Sequence, residues 1–564
     1  MIGTIVVFIV SGAADNLHPQ MLKTTVDPHQ VLLDSFQTFL RHAVAELQQG
    51  DQQAHGIWLQ AASHLFPTDT DSLDGMIHQL IAGQRPAEAE VIAHAFTVLT
   101  PGDVKAHFRH GFALQLLNRH RDAVAPYRAA LAIDPDLHSL RNNLAGALMS
   151  DNPASVEANE LLTAALQQNP DDANAWVNLG KSHLARFDLD SALEAERRAL
   201  ELQPDNPVML GNHGQTLREA QQWEEAERFT SAAHRAASGT ASHLSNLSMI
   251  HLLRGNYADG WREHEARWDG SKELAGKRPV LPGPAWRGES LAGKTLLLWG
   301  EQGMGDLLQF CRYVPLLAER VHREGGRLAW NSFPQMGPLL ARSLAQHVDE
   351  FTLGGGVEHL PKFDYEVSLV SLPLLFDTRE ETIPSTVPYL QADPLAVDAW
   401  RQRLAGEKRL KVGLVWTGSH GHQRNPYRRV GLERYVDAFR ELDNVAFYSL
   451  QPGAAAEVAA ARTAGLDIAD HTAEFKTFDD TAAYLGALDL VITVCTSVAH
   501  LSGAIGQRTW VLLDVNPHWV WLLDRTDSPW YPGATLYRQP QFAQWEPVFD
   551  KLTRDLAALA DSRT

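Results

Sequence analysis

A helical pattern with a period of about 34 residues covers the first half of the chain and constrains its fold most strongly. The pattern is rich in alanine and runs from about residue 31 to 269. Two clear units are Gly111, Ala123, Tyr127, Ala130 and Pro135, and Trp176, Leu179, Gly180, Ala192, Ala199 and Pro204. The spacing predicts antiparallel helix pairs, because small residues permit close helix contact and proline ends the second helix of each pair.

These units resemble the tetratricopeptide repeat. The resemblance implies a right-handed superhelix whose concave face holds a peptide or protein segment. Asparagines recur near the same place on successive first helices, at Asn142, Asn143, Asn178, Asn212 and Asn246. We expect them to bind the backbone of an extended acceptor, although solvated polar positions explain the same pattern. A purely architectural spacer or dimerisation arm is the alternative role for the whole repeat region.

The second half opens with an apolar strand at residues 295–299 that leads into a glycine-rich turn. Gly300, Gly303 and Gly305 allow a tight turn, and Asp306 stands where an amphipathic helix begins. Strand, glycine turn and helix together are typical of the opening unit of a nucleotide-binding α/β sheet. The free N–H groups at such a helix start suit an anion.

Alternating strand and helix patterns predict two successive parallel sheets after a proline- and glycine-rich linker. We expect strands at 327–332, 348–353 and 365–372, and then from Lys411 onward and at 445–451, 488–494 and 509–513. The predicted division is an N-terminal extension at 1–30, repeats at 31–269, a linker at 270–293, and lobes at 294–395 and 396–564. Residues 1–10 are apolar but too short to span a bilayer, and Met21 is an alternative start of translation.

Composition narrows the class of function. The 564 residues carry a formal charge of -19, which argues against a nucleic-acid partner because phosphate backbones need a basic face. Cys311 and Cys495 are the two cysteines and lie in unlike contexts, so neither a disulfide framework nor a zinc site is expected. We therefore expect a cytoplasmic protein without a membrane span.

Four motifs of the second half resemble bacterial repeat-containing glycosyltransferases: residues 301–306, 416–419, 448–451 and 488–504. The catalytic half is similar to the heptosyltransferase family, and the layout is similar to O-GlcNAc transferases and some flagellin glycosyltransferases. The resemblance implies an α-solenoid of tetratricopeptide repeats followed by a two-lobed α/β module of the GT-B type. The sequence departs from the family at Cys495, where aspartate is usual, and in the loop after Trp416, which lacks its usual acidic residue.

The function implied is an inverting, metal-independent transfer of a sugar from a nucleotide-activated donor to serine or threonine of a protein selected by the repeats. Flagellin as acceptor and a nonulosonic acid as donated sugar follow by analogy. No cofactor is expected, since the nucleotide-sugar is a substrate. The alternatives are a lipopolysaccharide or other glycan as acceptor, and an inactive repeat scaffold that binds proteins.

Asp306 resembles the aspartate that serves as general base in heptosyltransferases, and Glu301 is a lesser candidate for the same task. The alternative for Asp306 is a helix N-cap. The predicted donor-binding residues are Gly303, Gly305, Ser419, Arg424, Arg428, Arg429, Thr496, Ser497 and His500. Hydroxyls and N–H groups at a helix start bind phosphate, and arginine neutralises a leaving group.

A structural role is the alternative for some of these side chains. A buried, merely hydrogen-bonded histidine explains His500, and at least one of the three arginines is expected only to solvate its loop. Metal binding is not expected, because the acid-x-acid triplets lie at repeat turns and His420 and His422 lack a third ligand.

Overall fold

The computed structural model describes residues 27–301, 303–352, 354 and 360–562. The predicted N-terminal extension lies outside these residues up to position 26, as does Leu353 at the end of one predicted strand. Cα packing divides the chain into two compact units, one ending at Leu202 and the other beginning at Gln203. None of the helices in the described part of the chain is long and apolar enough to cross a membrane.

The first unit consists of helices that pack as successive antiparallel pairs. Aspartates such as Asp69 and Asp172 cap helix starts by accepting backbone hydrogen bonds. Ala123, Ala192 and Tyr127 are fully buried between helices, as the repeat pattern predicts. The helices are α1 (Pro28–Gln49), α2 (Gln52–Ser63), α3 (Thr70–Ala82), α4 (Pro86–Leu99), α5 (Val104–Leu116), α6 (His120–Ile133), α7 (His138–Asp151), α8 (Val156–Gln168), α9 (Ala173–Ala185) and α10 (Leu189–Leu202).

The second unit opens with further helix pairs: α11 (Pro207–Glu219), α12 (Trp223–Ala236), α13 (Ala241–Leu253), α14 (Tyr257–His264) and the short α15 (Arg267–Gly270). Some of their apolar side chains pack with the α/β part. Leu252, Tyr257 and Trp261 belong to the core that also contains both sheets. The helical period ends near residue 269, whereas the packing boundary lies at 202 because these side chains fold with the α/β part.

A four-stranded parallel sheet forms the first lobe, in the order β3-β2-β1-β4. Its elements are β1 (Thr295–Trp299), α16 (Met304–Phe310), α17 (Val314–Arg323), β2 (Arg327–Asn331), α18 (Pro338–Leu344), β3 (Glu350–Phe351), β4 (Tyr365–Ser368) and α19 (Leu372–Leu375). Leu296, Leu297 and Leu298 are fully buried, which explains the uninterrupted apolar run. The linker is tied to this sheet, because the Trp286 N–H donates to the Glu366 carbonyl over 2.7 Å.

A six-stranded parallel sheet forms the second lobe, in the order β10-β9-β8-β5-β6-β7. Its elements are α20 (Pro394–Arg403), β5 (Leu410–Val415), α21 (Asn425–Arg428), α22 (Leu432–Phe439), β6 (Val445–Ser449), α23 (Ala455–Thr463), β7 (Ile468–Asp470), α24 (Phe478–Leu485), β8 (Leu490–Val494), α25 (Ser497–Ala504), β9 (Thr509–Leu513), β10 (Ala534–Arg538) and α26 (Glu546–Asp561). The predicted fold class, helical repeats followed by a two-sheet α/β module, is confirmed. Strands β7 and β10 were not predicted.

Aromatic rings join the last helix pair to both lobes. The Trp261 ring of α14 lies 5.0 Å from that of Trp519 and 6.3 Å from that of Phe310, between ring centroids. Trp519 and Trp530 lie 5.6 Å apart in the segment between β9 and β10. Buried aromatic pairs of this kind contribute beyond their area, so α14, α16 and this segment are held in a fixed arrangement.

A buried network of charges joins α11 to the second lobe. Arg424 pairs with Glu219 and donates from Nη2 to Asp514 over 2.7 Å. Asn516 donates to Glu219 over 2.7 Å and accepts from Arg218 over 3.1 Å. Burial raises the pKa of Asp514 and lowers that of Arg218 to about 10. Two cations and two carboxylates balance, so removing one partner leaves a buried charge without compensation.

We predict that Glu219→Gln lowers the free energy of unfolding by about 3 kcal/mol, because Arg424 and Arg218 then share one remaining carboxylate. Urea denaturation followed by tryptophan fluorescence measures this change. The matched control is Glu225→Gln on the next helix, whose exposed pair with Arg228 is screened by solvent and contributes little to stability. Equal losses in the two variants would contradict the assignment.

Candidate active site

The strand order of the second lobe places a crevice between β5 and β8. Strands β5, β6 and β7 extend one way and β8, β9 and β10 the other, so the chain reverses direction between these neighbours. In open parallel sheets, ligands bind beyond the carboxyl ends of the strands at such a point. The residues there are the loop 416–429 after β5 and residues 495–497 after β8. Seven of the predicted donor-binding residues lie in these two segments or in helix α25, which begins in the second segment.

Arg428 spans this crevice. Its Nη1 donates to the Cys495 carbonyl over 2.9 Å, and its guanidinium covers Gly418, where a Cβ would lie 2.3 Å from Nη2. A side chain at position 418 would therefore displace the Arg428 guanidinium from this place. Among the residues that the structure describes, no carboxylate pairs with Arg428. A partly buried guanidinium with an uncompensated charge suits a phosphate oxygen.

The start of α25 adds hydrogen-bond donors to the same crevice. Thr496 caps the helix, because its Oγ1 accepts from the Val498 N–H over 3.2 Å. The Ser497 side chain is partly buried and has no hydrogen-bond partner in the described part of the chain. Free N–H groups, a hydroxyl and the positive end of the helix dipole favour an anion at this position.

His500 lies one turn further along α25 and is buried. Its Nδ1 lies 2.9 Å from the Tyr531 hydroxyl, and its ring stacks on Trp521. Burial, with His518 and the Arg312 charge, holds its pKa well below the usual value, so the ring is neutral at pH 7. These contacts fit the buried, hydrogen-bonded alternative, and a direct phosphate contact stays a prediction.

The other basic residues of the β5 loop are placed differently. Arg424 is committed to Glu219 and Asp514, so its charge is already neutralised. This placement disagrees with the interpretation of Arg424 as a ligand of the leaving group. Arg429 and Ser419 are exposed. Arg428 is therefore the arginine of this loop that we assign to the phosphate site.

Asp306 lies on α16 of the first lobe. Gly303 is the N-cap of this helix, with a φ of 127°, and Asp306 is its third residue. Among the residues described around this turn, no side chain caps the helix, so the N-cap interpretation of Asp306 does not fit the structure. Asp306 is partly buried, and its carboxylate accepts no hydrogen bond from the described residues. Burial and the charge of Glu301 raise the pKa of Asp306 to about 7 against the opposing charge of Arg267.

Glu301 differs from Asp306 in its contacts. It is 4% exposed and accepts the Arg267 Nε–H over 2.9 Å, and it also pairs with Arg267 Nη2 and accepts from Ser368. Both carboxylate oxygens are thus occupied. We do not assign proton transfer to Glu301, because an oxygen held by a guanidinium fork is a poor proton acceptor.

The two helix starts meet. A Cβ at Gly305 would lie 3.0 Å from His500 Cδ2 and 3.8 Å from Ser497 Cα, so α16 approaches α25 closely at these positions. Asp306 follows Gly305 directly. A carboxylate with a raised pKa therefore lies beside the start of α25, where Arg428 and the free N–H groups suit a phosphate.

Two further histidines lie within the field of Arg428. Burial first, and then the Arg428 charge, lowers the pKa of His422 to about 4. Burial, His422 and Arg428 lower that of His518 to about 3, and the buried His518 Nδ1 has no partner among the described residues. These rings are neutral at pH 7 and present hydrogen-bonding nitrogens, not charge. Cys495, at the end of β8, is buried and accepts from Trp521 Nε1 over 3.1 Å.

The predicted acceptor-binding asparagines are half-buried on first helices. In the first unit, Asn178 donates to the Asn142 side-chain oxygen over 2.8 Å. In the second unit, Asn212 has a buried Nδ2 without a partner in the part of the chain that the structure describes, and Asn246 lies on α13. Their role toward a peptide stays a prediction.

Sequence analysis missed Arg267, Glu219 and Tyr531. Each acts through a partner far along the chain, such as Glu219 with Asn516. No local spacing marks such a pair.

We predict that Arg428→Gln weakens binding of a nucleoside diphosphate about tenfold or more, because a charge-assisted hydrogen bond is lost. Isothermal titration calorimetry measures the affinity. Arg429→Gln is the matched control, one residue along and exposed, and its affinity should equal that of the parent. If Arg428→Gln binds the nucleoside diphosphate as tightly as the parent does, the phosphate does not bind in this crevice.

Comparison with known proteins gives one long match. Protein FlbA of Caulobacter vibrioides is 30% identical over 466 residues, which cover 77% of this chain and 75% of FlbA. BBSome complex member BBS4 of Mus musculus is 32% identical over 102 residues, 18% of this chain and 19% of BBS4. No protein-family model matches the chain.

Among solved structures, PilF of Pseudomonas aeruginosa is 18% identical and covers 35% of this chain and 90% of its own, with a TM-score of 0.31. The tetratricopeptide-repeat protein TTC0263 of Thermus thermophilus is 17% identical and covers 30% of this chain and 94% of its own, with a TM-score of 0.28. These partial likenesses carry no functional implication. The identity to FlbA extends through most of both proteins, and the chain therefore belongs to the FlbA family.

Proposed function

We propose that this chain is an inverting protein O-glycosyltransferase of the GT-B type, which moves a sugar from a nucleotide-activated donor to serine or threonine of a protein. One observation carries the proposal: Gly305, which directly precedes Asp306, lies against the start of α25, and Arg428 bonds to the Cys495 carbonyl two residues before that start. The name of FlbA states no reaction, so the proposal rests on the site of this chain and on the motifs that resemble glycosyltransferases.

The reaction follows from the charges of the site. The acceptor hydroxyl oxygen attacks the anomeric carbon, and its proton passes to the Asp306 carboxylate. The bond from that carbon to the phosphate oxygen breaks on the opposite face, and the electron pair leaves with the phosphate. Arg428, Ser497 and the N–H groups of α25 stabilise the charge that develops on this leaving group.

The repeats supply the acceptor-binding part of the proposal. Half-buried asparagines on successive first helices offer paired donors and acceptors, which match the backbone of an extended peptide. We propose flagellin as the acceptor by analogy with repeat-containing flagellin glycosyltransferases. A glycan acceptor is the alternative that the same cleft chemistry permits.

An inactive scaffold is the second candidate function. Cys495 stands where the resembling enzymes have aspartate, and Arg424 of the adjacent loop is bound to Glu219 and Asp514. Incubation of the pure chain with a panel of nucleotide-sugars separates the two. Donor hydrolysis supports the enzyme, whereas absence of hydrolysis with every donor supports the scaffold. Intact-mass analysis of cell proteins with and without the chain then identifies the acceptor.

We predict that Asp306→Asn transfers or hydrolyses at least about a hundredfold more slowly, because the amide has no basic oxygen. Nucleotide affinity should stay within about twofold, since the side chain is not part of the phosphate site. Asp479 on α24 forms a partly buried pair with Arg342 on α18, and Asp479→Asn is the control for loss of a carboxylate. An Asp306→Asn protein with parent activity would remove Asp306 from the mechanism.

The rate should also depend on pH through this group. Asp306 acts in its deprotonated form, and its pKa is about 7, so kcat/KM rises with pH and levels off above about 7. Below the midpoint the rate falls about tenfold per pH unit, since the base is increasingly protonated. Initial rates between about pH 5 and 9 measure the profile. A flat profile over this range would contradict the assigned base.

A further inference from the structure

A buried arginine of the helical region reaches the turn that carries Asp306. Arg267 on α15 is 3% exposed and holds Glu301 through two nitrogens, Nε over 2.9 Å and Nη2. The same guanidinium donates from Nη1 to Glu265 over 2.8 Å and from Nη2 to Ser371 over 3.0 Å. It is thus anchored from two sides.

Glu301 occupies a defined place in the first sheet. It follows β1, and Ser368 at the end of the neighbouring β4 also donates to it. Strands β2 and β3 lie on one side of β1 and β4 on the other, so this is the crevice where the chain reverses. The crevice of this sheet is filled by the ion pair. Apolar side chains would fill it at lower desolvation cost, so packing alone does not explain a buried pair here.

The ion pair also connects the turn to α13. Helix α15 packs closely on α13, since a Cβ at Gly270 would lie 2.4 Å from the Ala241 carbonyl oxygen and 2.8 Å from Ser245 Cβ. Ser245 is followed by Asn246, a predicted acceptor-binding residue. Rigid contacts therefore run from α13 through Arg267 and Glu301 to the glycine turn.

We propose that Arg267 is a positioning residue for Asp306 and acts through Glu301, fixing both the place and the electrostatic surroundings of the base. This inference rests on the proposed function and adds a residue outside the catalytic motifs. Arg267 reaches Glu301 and not the substrate, so it is not itself catalytic.

The charged and titratable groups around Asp306 come from four elements. Glu301 after β1 and Glu273 of the linker are negative and favour its protonated form, whereas Arg267 on α15 opposes them. His500 on α25 faces Gly305 and is neutral at pH 7. The two partners of one ion pair thus act on Asp306 with opposite sign.

The test uses pH profiles of donor hydrolysis by the full chain. Glu301→Gln removes the negative charge. The pH at which the hydrolysis rate is half-maximal should therefore fall below that of the parent by about one pH unit; this pH is called the midpoint below. Arg267→Gln leaves the Glu301 charge and should move the midpoint upward by a similar amount. Arg262→Gln is the matched control, because this exposed arginine pairs with Asp259 on its own helix, and its midpoint should equal that of the parent.

Arg267→Lys keeps the buried positive charge but cannot form the two-nitrogen contact with Glu301. This variant replaces Arg267→Gln in the test if Arg267→Gln does not fold. Its midpoint should stay at the parent value while kcat falls about tenfold or more, because the turn is no longer fixed. Shifts of the same sign in Glu301→Gln and Arg267→Gln, or a parent-like kcat in Arg267→Lys, would overturn the inference. Absence of hydrolysis in the parent would instead overturn the proposed function.

Discussion

The aromatic cluster around Trp261 is the contact on which the arrangement of the site depends. Its rings come from α14, from α16 and from the segment between β9 and β10, three parts that are distant in sequence. Trp261 Nε1 also donates to the Thr378 carbonyl over 3.1 Å, so the one polar atom of the ring is satisfied. Because α16 carries Asp306, this apolar contact determines where the carboxylate lies relative to α25. Burial of large aromatic surfaces supplies the free energy, and the interlocking ring shapes supply the geometry.

Around this core, some buried cations pair with carboxylates, and others have only uncharged oxygens as described partners. Arg424 has two carboxylates, and Arg267 is held by Glu301 and Glu265. Arg428 has only carbonyl and amide oxygens as described partners. Arg312 is likewise held by carbonyl and hydroxyl oxygens alone among the described residues. The position of Arg428 in the crevice, together with its lack of a carboxylate, therefore favours an anionic ligand. Asp306 also has no hydrogen-bond donor among the described residues, and burial together with the Glu301 charge raises its pKa.

Local sequence patterns predicted the fold well, because their causes are local. The small residues of the helix pairs and the apolar runs of β1 and β5 reflect burial that each element imposes on its own residues. Long-range partners escaped prediction. Arg424 lies in a loop where charge suggests a phosphate ligand, yet Glu219 captures it from α11, more than two hundred positions earlier in the chain. Likewise, the helical period of α13 and α14 gives no sign that Tyr257 and Trp261 pack in the α/β core. The short edge strands β7 and β10 were missed because three to five residues carry too little periodicity.

The packing of α11 to α15 with the sheets bears on how such chains change over evolution. Every contact described around Asp306 and Arg428 is made by residues after Leu202. Helix pairs within residues 27–202 can therefore be gained, lost or exchanged by recombination without altering those contacts. The last helix pairs have no such freedom, because replacing them would remove Trp261, Glu219 and Arg267 together. Variation in repeat number among related proteins should accordingly be confined to the amino-terminal side of α11.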